Sequence, residues 1–192
     1  MPEDIFRRVT PLRVHLEKDA PKTLTVLLLI LVLLMHTKFV LANEVTEYRL
    51  KTAFIYNFAA FTTWPDDIED NLVLCFYGEH SYGDYLHHIR HKQINKHNLV
   101  IKDINDFNDL AHCHVVFISR YYIATLRNII NQLENKSILT LADNPGAIQE
   151  GIMLNMRVSG DKIVFDVNLK MVRKAGLRLG AALLRLASEV YE

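Results

Sequence analysis

Apolar and polar positions change rhythm several times along this chain. Residues 24–35, LTVLLLILVLLM, form an unbroken apolar run. In EYRLKTAFIYNFAAFTTWP (47–65), apolar side chains return every three or four residues up to a Trp-Pro stop, the pattern of a helix. Leu50, Phe54, Asn57, Phe58, Phe61 and Trp64 predict one stripe facing a sheet, with Asn57 hydrogen-bonded in the core. Tyr48 and Tyr56 are then expected on the other side.

Beyond this helix, short apolar runs alternate with amphipathic ones. LVLCFYG (72–78), NLVIKDI (98–104), HVVFIS (114–119) and SILTLAD (137–143) read as strands. Helices are expected at SYGDYLHHIRHK (81–92), briefly at DFNDLAHC (106–113), and at YYIATLRNIINQLEN (121–135), where Ile123, Leu126, Ile130 and Leu133 hold helical spacing. VLCF, VVFI and ILTL do not alternate with polar residues, as in parallel strands covered on both faces. GIMLNMRVSGDKIVFDVNL (151–169) turns at Ser159-Gly160-Asp161 into a hairpin. Alternation of Ile163, Phe165 and Val167 with Val164, Asp166 and Asn168 predicts an edge strand with one wet face. LKMVRKAGLRLGAALLRLASEVY (169–191) reads as a long closing helix, with Gly176 and Gly180 marking close approach of another backbone. The fold class expected is α/β: a three-layer sandwich with a mixed, mostly parallel sheet, helices on both faces, a C-terminal β-hairpin and a long closing helix.

The apolar run follows Arg7, Arg8, Arg13, Lys18 and Lys22, and small residues suited to cleavage end at Ala42. A basic segment, a short apolar core (24–35) and a small-residue site describe a secretory signal peptide over 1–42, leaving a single domain at 43–192. The alternative is a retained inner-membrane anchor. A spanning helix needs about 20 apolar residues, a length reached only by including His36, Thr37 and Lys38. Either way, the domain is exported.

From Asn43 onward Lys plus Arg is 16 and Asp plus Glu is 18, a net charge of −2. That balance removes nucleic-acid backbones as partners. Both cysteines, Cys75 and Cys113, lie in the exported part. If the strand of Cys75 neighbours the strand that Cys113 precedes, as doubly wound topology favours, a disulfide fits; two buried free thiols are the other reading. His87 and His91 stand four apart, a metal-ligand spacing, and His112 and His114 flank Cys113. No third ligand motif accompanies them, so surface and packing histidines are the simpler reading, and no metal is assigned. Ser119 lacks a nucleophile elbow, and GEHSYG (78–83) lacks the spacing and lysine of a phosphate loop. No catalytic residue and no cofactor follow.

YRLKTAFIYNFAAFTTWP, VLCFYGEHSYGDYL, CHVVFISR, ILTLAD and above all GIMLNMRVSGDKIVFDVNLKMVRKAGLRLGAALLRLA resemble the YfiR-like family of small periplasmic proteins, from about Glu47 to Ala187. The resemblance implies a regulator, not an enzyme. It implies binding to the periplasmic sensor domain of an inner-membrane diguanylate cyclase of the YfiN type, which is held inactive. It further implies release of that cyclase by an outer-membrane YfiB-like lipoprotein, with effects on cyclic-di-GMP and biofilm, and a homodimer. Cys75 and Cys113 match a pair that family members oxidise, whereas Ala147 and Leu154 stand near a second pair of cysteines found in some members. The family's ligand and partner surface carries over to Asp166, Asn168, Lys174 and Arg178, and to Thr63 and Trp64, with Thr63 replacing an arginine. The competing expectation is a periplasmic metal- or small-ligand-binding protein or enzyme using His87, His91 and His112 or His114.

Overall fold

The computed structural model describes the backbone of residues 22–65 and 68–192 and, within these, the side chains of all but 22–25, 33–45 and 123. The chain divides into two units, Met1–Ala42 and Asn43–Glu192. Residues 1–21 of the expected leader, including the basic positions up to Lys18, lie outside the described residues. In the first unit, Val26 to Val32 are exposed apolar side chains of helix α1 (Lys22–Ala60).

The second unit is built in chain order from the later part of α1, β1 (Thr62–Thr63), β2 (Asn71–Tyr77), α2 (Gly83–Leu86), β3 (Gln93–Ile94) and β4 (His97–Ile104). A 3₁₀ turn, Phe107–His112, leads to β5 (Val115–Ile118), and a second, Arg120–Thr125, to α3 (Leu126–Gln132). Then come β6 (Leu139–Ala142), β7 (Leu154–Ser159), β8 (Lys162–Asn168), α4 (Leu169–Lys174), β9 (Arg178–Leu179), α5 (Ala181–Leu184) and β10 (Glu189–Tyr191). Eight strands make one sheet in the order β10-β8-β7-β6-β5-β2-β4-β3, and β1 and β9 form a separate ribbon. Strands β4, β2, β5, β6 and β7 are parallel, whereas β8 runs antiparallel to β7.

The non-alternating runs are explained by their two covered faces. Leu72, Leu74 and Phe76 of β2 join Phe117 and Leu141 beneath Ile55 and Phe58 of α1. On the other face Cys75, Val116 and Ile118 pack with Leu126 and Ile129 of α3. The three layers and the mixed, mostly parallel sheet are those expected from the sequence. Because β2 and β5 are neighbours, the Cys75–Cys113 disulfide forms with a Cα–Cα distance of 5.9 Å. Ala147 and Leu154 are fully buried apolar residues.

The C-terminal segment differs from the long helix its composition suggested. Gly176, at φ +71°, ends α4 in a conformation most residues avoid, and the chain then pairs as β9 with β1 before α5 and β10. The ribbon also ends α1 at Ala60, short of Trp-Pro. Strand β8 is interior, flanked by β7 and β10, so Asp166 is buried and the true edge is β10. Of residues 81–92, only 83–86 are α-helical.

The stripe on α1 is rotated from the expected one. Tyr48, Lys51, Thr52, Ile55, Phe58, Ala59 and Thr62 face the core, whereas Leu50, Asn57 and Phe61 are exposed. Asn57 therefore meets solvent instead of a core partner, and Tyr48 packs inward against Tyr82 and Tyr85. A buried lysine reversed the assignment: the charge at position 51 masks the real apolar face.

Candidate functional site

From β2 the chain crosses to β4 on one side and then returns to β5 on the other. The carboxyl ends of β2 and β5 thus form the crevice where open α/β sheets bind small ligands. Here that crevice is occupied by the protein's own groups. Lys51 Nζ donates to Asp143 Oδ2 at 2.7 Å and lies 2.6 Å from Glu47 Oε1. Arg120, at the end of β5, reaches Asp143 at 3.2 Å, and the Tyr82 hydroxyl donates to the same oxygen at 3.2 Å. Burial and then the Asp143 charge raise the Tyr82 pKa well above the ordinary phenol value, so its proton stays in place. Partial burial opposes the charge on Arg120, but Asp143, Tyr48 and Glu47 outweigh it and raise its pKa.

The loop after β2 is closed as well. The Glu79 N–H donates to the Tyr122 hydroxyl at 3.2 Å, and a Cβ on Gly78 would stand 2.0 Å from the Tyr122 ring. His80 accepts from the Tyr82 N–H through Nδ1 and meets Asp103 through Nε2 at 2.8 Å. The GEHSYG loop therefore spends its groups on internal bonds.

Open space lies instead around α4. One groove, of about 360 Å³, is lined by residues including Thr140, Met153, Asn168, Met171 and Lys174. A second, of about 540 Å³, is lined by Trp64, Pro65, Glu69, Asp70, His114 and Ser137 among others. They flank the end of α4: Ala175 lines the first, and a Cβ on Gly176 would lie 3.5 Å from Pro65 of the second. Trp64 Nε1 is buried and has no hydrogen-bond partner among the described residues. Burial, and then nearby His97, lower the His114 pKa; its Nδ1 accepts from the Val73 N–H at 3.0 Å.

These grooves gather part of the set anticipated from the sequence. Asn168 caps α4, accepting from the Met171 N–H at 3.1 Å and donating to the Ile148 carbonyl at 3.2 Å. Lys174 pairs with Glu134 at 2.6 Å on the surface, and this pairing lowers the Glu134 pKa. Thr63 and Arg178 face each other in the β1–β9 ribbon, beside Trp64. Asp166 stands apart from both grooves, bound by Arg157 at 2.9 Å and not by Arg178. His87 and His91 are exposed, and among the described residues no three His, Cys, Asp or Glu side chains converge as a metal site requires.

Sequence reasoning missed the Lys51–Asp143–Arg120–Tyr82 cluster. Its signals were a lysine between Tyr48 and Ile55 in an apolar helix, and an aspartate closing the apolar run ILTLAD.

No curated protein matches the sequence. A family model described as YfiR/HmsC-like matches residues 48–188, almost the whole of the second unit. The chain belongs to the YfiR/HmsC-like family. YfiR/HmsC-like proteins are periplasmic regulators in diguanylate cyclase signalling and are not known enzymes.

Among solved structures, the chain is similar to an ABC domain in complex with L-Trp from Streptococcus pneumonia. The identity is 6%, covering 62% of this chain and 56% of that one, with a TM-score of 0.47. It is also similar to a conserved domain protein from Vibrio cholerae, with 8% identity, 63% and 54% coverage and a TM-score of 0.45. A protein of unknown function from Pyrococcus horikoshii matches at 12% identity, 55% and 54% coverage and a TM-score of 0.31. The similarity spans little more than half of each of those chains, and at these TM-scores no conclusion about function is drawn from it.

Proposed function

We propose that this protein is exported through the leader at 1–42 and binds the periplasmic sensor domain of an inner-membrane diguanylate cyclase of the YfiN type, holding it inactive. The observation that carries this reading is the family match over residues 48–188. The filled crevice adds to it: Lys51, Asp143 and Tyr122 occupy the place where an α/β enzyme would take its substrate, so the surface is left to act. Repression requires tighter binding to the inactive state of the cyclase than to the active one; equal affinity would shift nothing. Sequestration by an outer-membrane lipoprotein of the YfiB type would reverse it by mass action. The working unit is a homodimer.

A small ligand of the regulator itself is compatible with this role. The buried Trp64 Nε1, without a partner among the described residues, is a donor beside a groove of about 540 Å³, where an acceptor on a ligand would satisfy it.

Titration of the full chain against the purified sensor region of the cyclase tests the proposal. Saturable, stoichiometric binding is expected, and its absence overturns the reading. Protein purified without a histidine tag that carries one zinc or copper per chain would instead favour the histidine-based carrier.

A further inference from the structure

The groove that Trp64 lines lies at the amino end of β2, and backbone bonds hold its acidic rim in place. The Glu69 carbonyl meets His97 Nδ1 at 2.7 Å, and the Asp70 carbonyl accepts from the Asn98 N–H at 2.9 Å. Glu69 and Asp70 are exposed and both line the groove. Among the described residues neither carboxylate has a hydrogen-bond or ion-pair partner. Residues 66–70, DDIED, carry four acids and no base, and no described Lys or Arg lines the groove.

His114 lines the same groove in a fixed tautomer. Burial, and then His97, keep its ring neutral at physiological pH. Because Nδ1 accepts from the Val73 N–H at 3.0 Å, the neutral ring carries its proton on Nε2. That N–H has no acceptor among the described residues. Trp64 Nε1 is a second N–H donor in the wall, and the Ser137 hydroxyl can act in either sense.

These groups select a ligand by exclusion. An anion, or the carboxylate of a zwitterion, would sit beside Glu69 and Asp70 without a described Lys or Arg to pair it. A metal ion finds no lone pair on His114 Nε2, and among the described residues no three His, Cys, Asp or Glu side chains converge. An ammonium satisfies the carboxylates but offers no acceptor to the His114 and Trp64 N–H groups. A hydroxyl both accepts and donates. We propose that this groove, of about 540 Å³, binds a neutral polyhydroxylated molecule, a mono- or disaccharide, whose hydroxyls accept from His114 Nε2 and donate to Glu69 and Asp70. This class rests on the reading that the regulator has a small ligand of its own.

Trp64 is the only tryptophan of the chain, so its emission reports the groove directly. The full chain is titrated with glucose, N-acetylglucosamine and lactose, and in parallel with acetate, putrescine and glycine at equal concentrations. A saturable change with a sugar, and none with the charged compounds, is the expected result. Asp70→Ala should weaken the sugar response at least about tenfold at unchanged Tm, and Glu69→Ala should do the same. A response that survives both substitutions overturns the proposal. Saturation by acetate, putrescine or glycine overturns it too, but leaves the small-ligand reading standing with another class of ligand. No response to any of the six compounds, in emission or in calorimetry, overturns the proposal and the small-ligand reading of this groove together.

Discussion

Lys51 is held by partners that its position in an apolar helix does not advertise. Its side chain is 2% exposed, and its charge would be untenable there without Asp143 and Glu47. Lys51→Met should therefore cost about 1–3 kcal/mol in urea unfolding, because the buried Asp143 keeps only Arg120 and the Tyr82 hydroxyl as partners. Adding Asp143→Leu should cost less than the sum of the single substitutions, and strict additivity would contradict the coupling. This cluster was illegible beforehand because the charge itself disguised the core face of α1, and its partner Asp143 lies 92 residues away. His114 supplies a pH test. Burial and His97 lower its pKa, so below the ordinary histidine value of about 6.5 the unfolded chain takes up a proton that the folded one refuses. Its contribution is complete above about 6.5, and stability falls as pH drops through the window beneath. His114→Gln, which keeps an acceptor for the Val73 N–H, should flatten that slope; an unchanged slope would contradict it.

At the scale of elements, strands were the easiest to read. VLCF, VVFI and ILTL announced burial on both faces, and their adjacency brought Cys75 to Cys113. Replacing both cysteines with alanine should cost about 3–4 kcal/mol for a sequence separation of 38, seen as a lower guanidinium midpoint that no longer responds to reductant. The C-terminal segment was harder, since 169–191 has good helical composition and breaks only because Gly176 adopts φ +71° and residues 178–179 pair with β1. Such long-range pairing leaves no local pattern. Gly176→Ala should cost about 1–2 kcal/mol through backbone strain, measured by thermal unfolding, and no loss would mean that the turn relaxes freely. Apolar spacing on α1 was visible, but periodicity alone cannot say which of two apolar faces meets the sheet.

For the whole molecule, the layers and sheet composition followed from the sequence, whereas the working surface required the fold. Asn168 and Lys174 line one groove and Trp64 the other, but Asp166 is tied to Arg157 inside the sheet. Asp166→Asn should accordingly lower Tm before it touches any partner; lost partner binding at unchanged Tm would return Asp166 to the surface. A polar cluster in the ligand crevice and open grooves around α4 fit the proposed action by contact with a partner. The most direct test is cyclic-di-GMP measured in cells that carry the diguanylate cyclase, with and without this chain. A rise on its removal, reversed by the wild-type protein, is the predicted result; an unchanged level with the cyclase present would contradict the account.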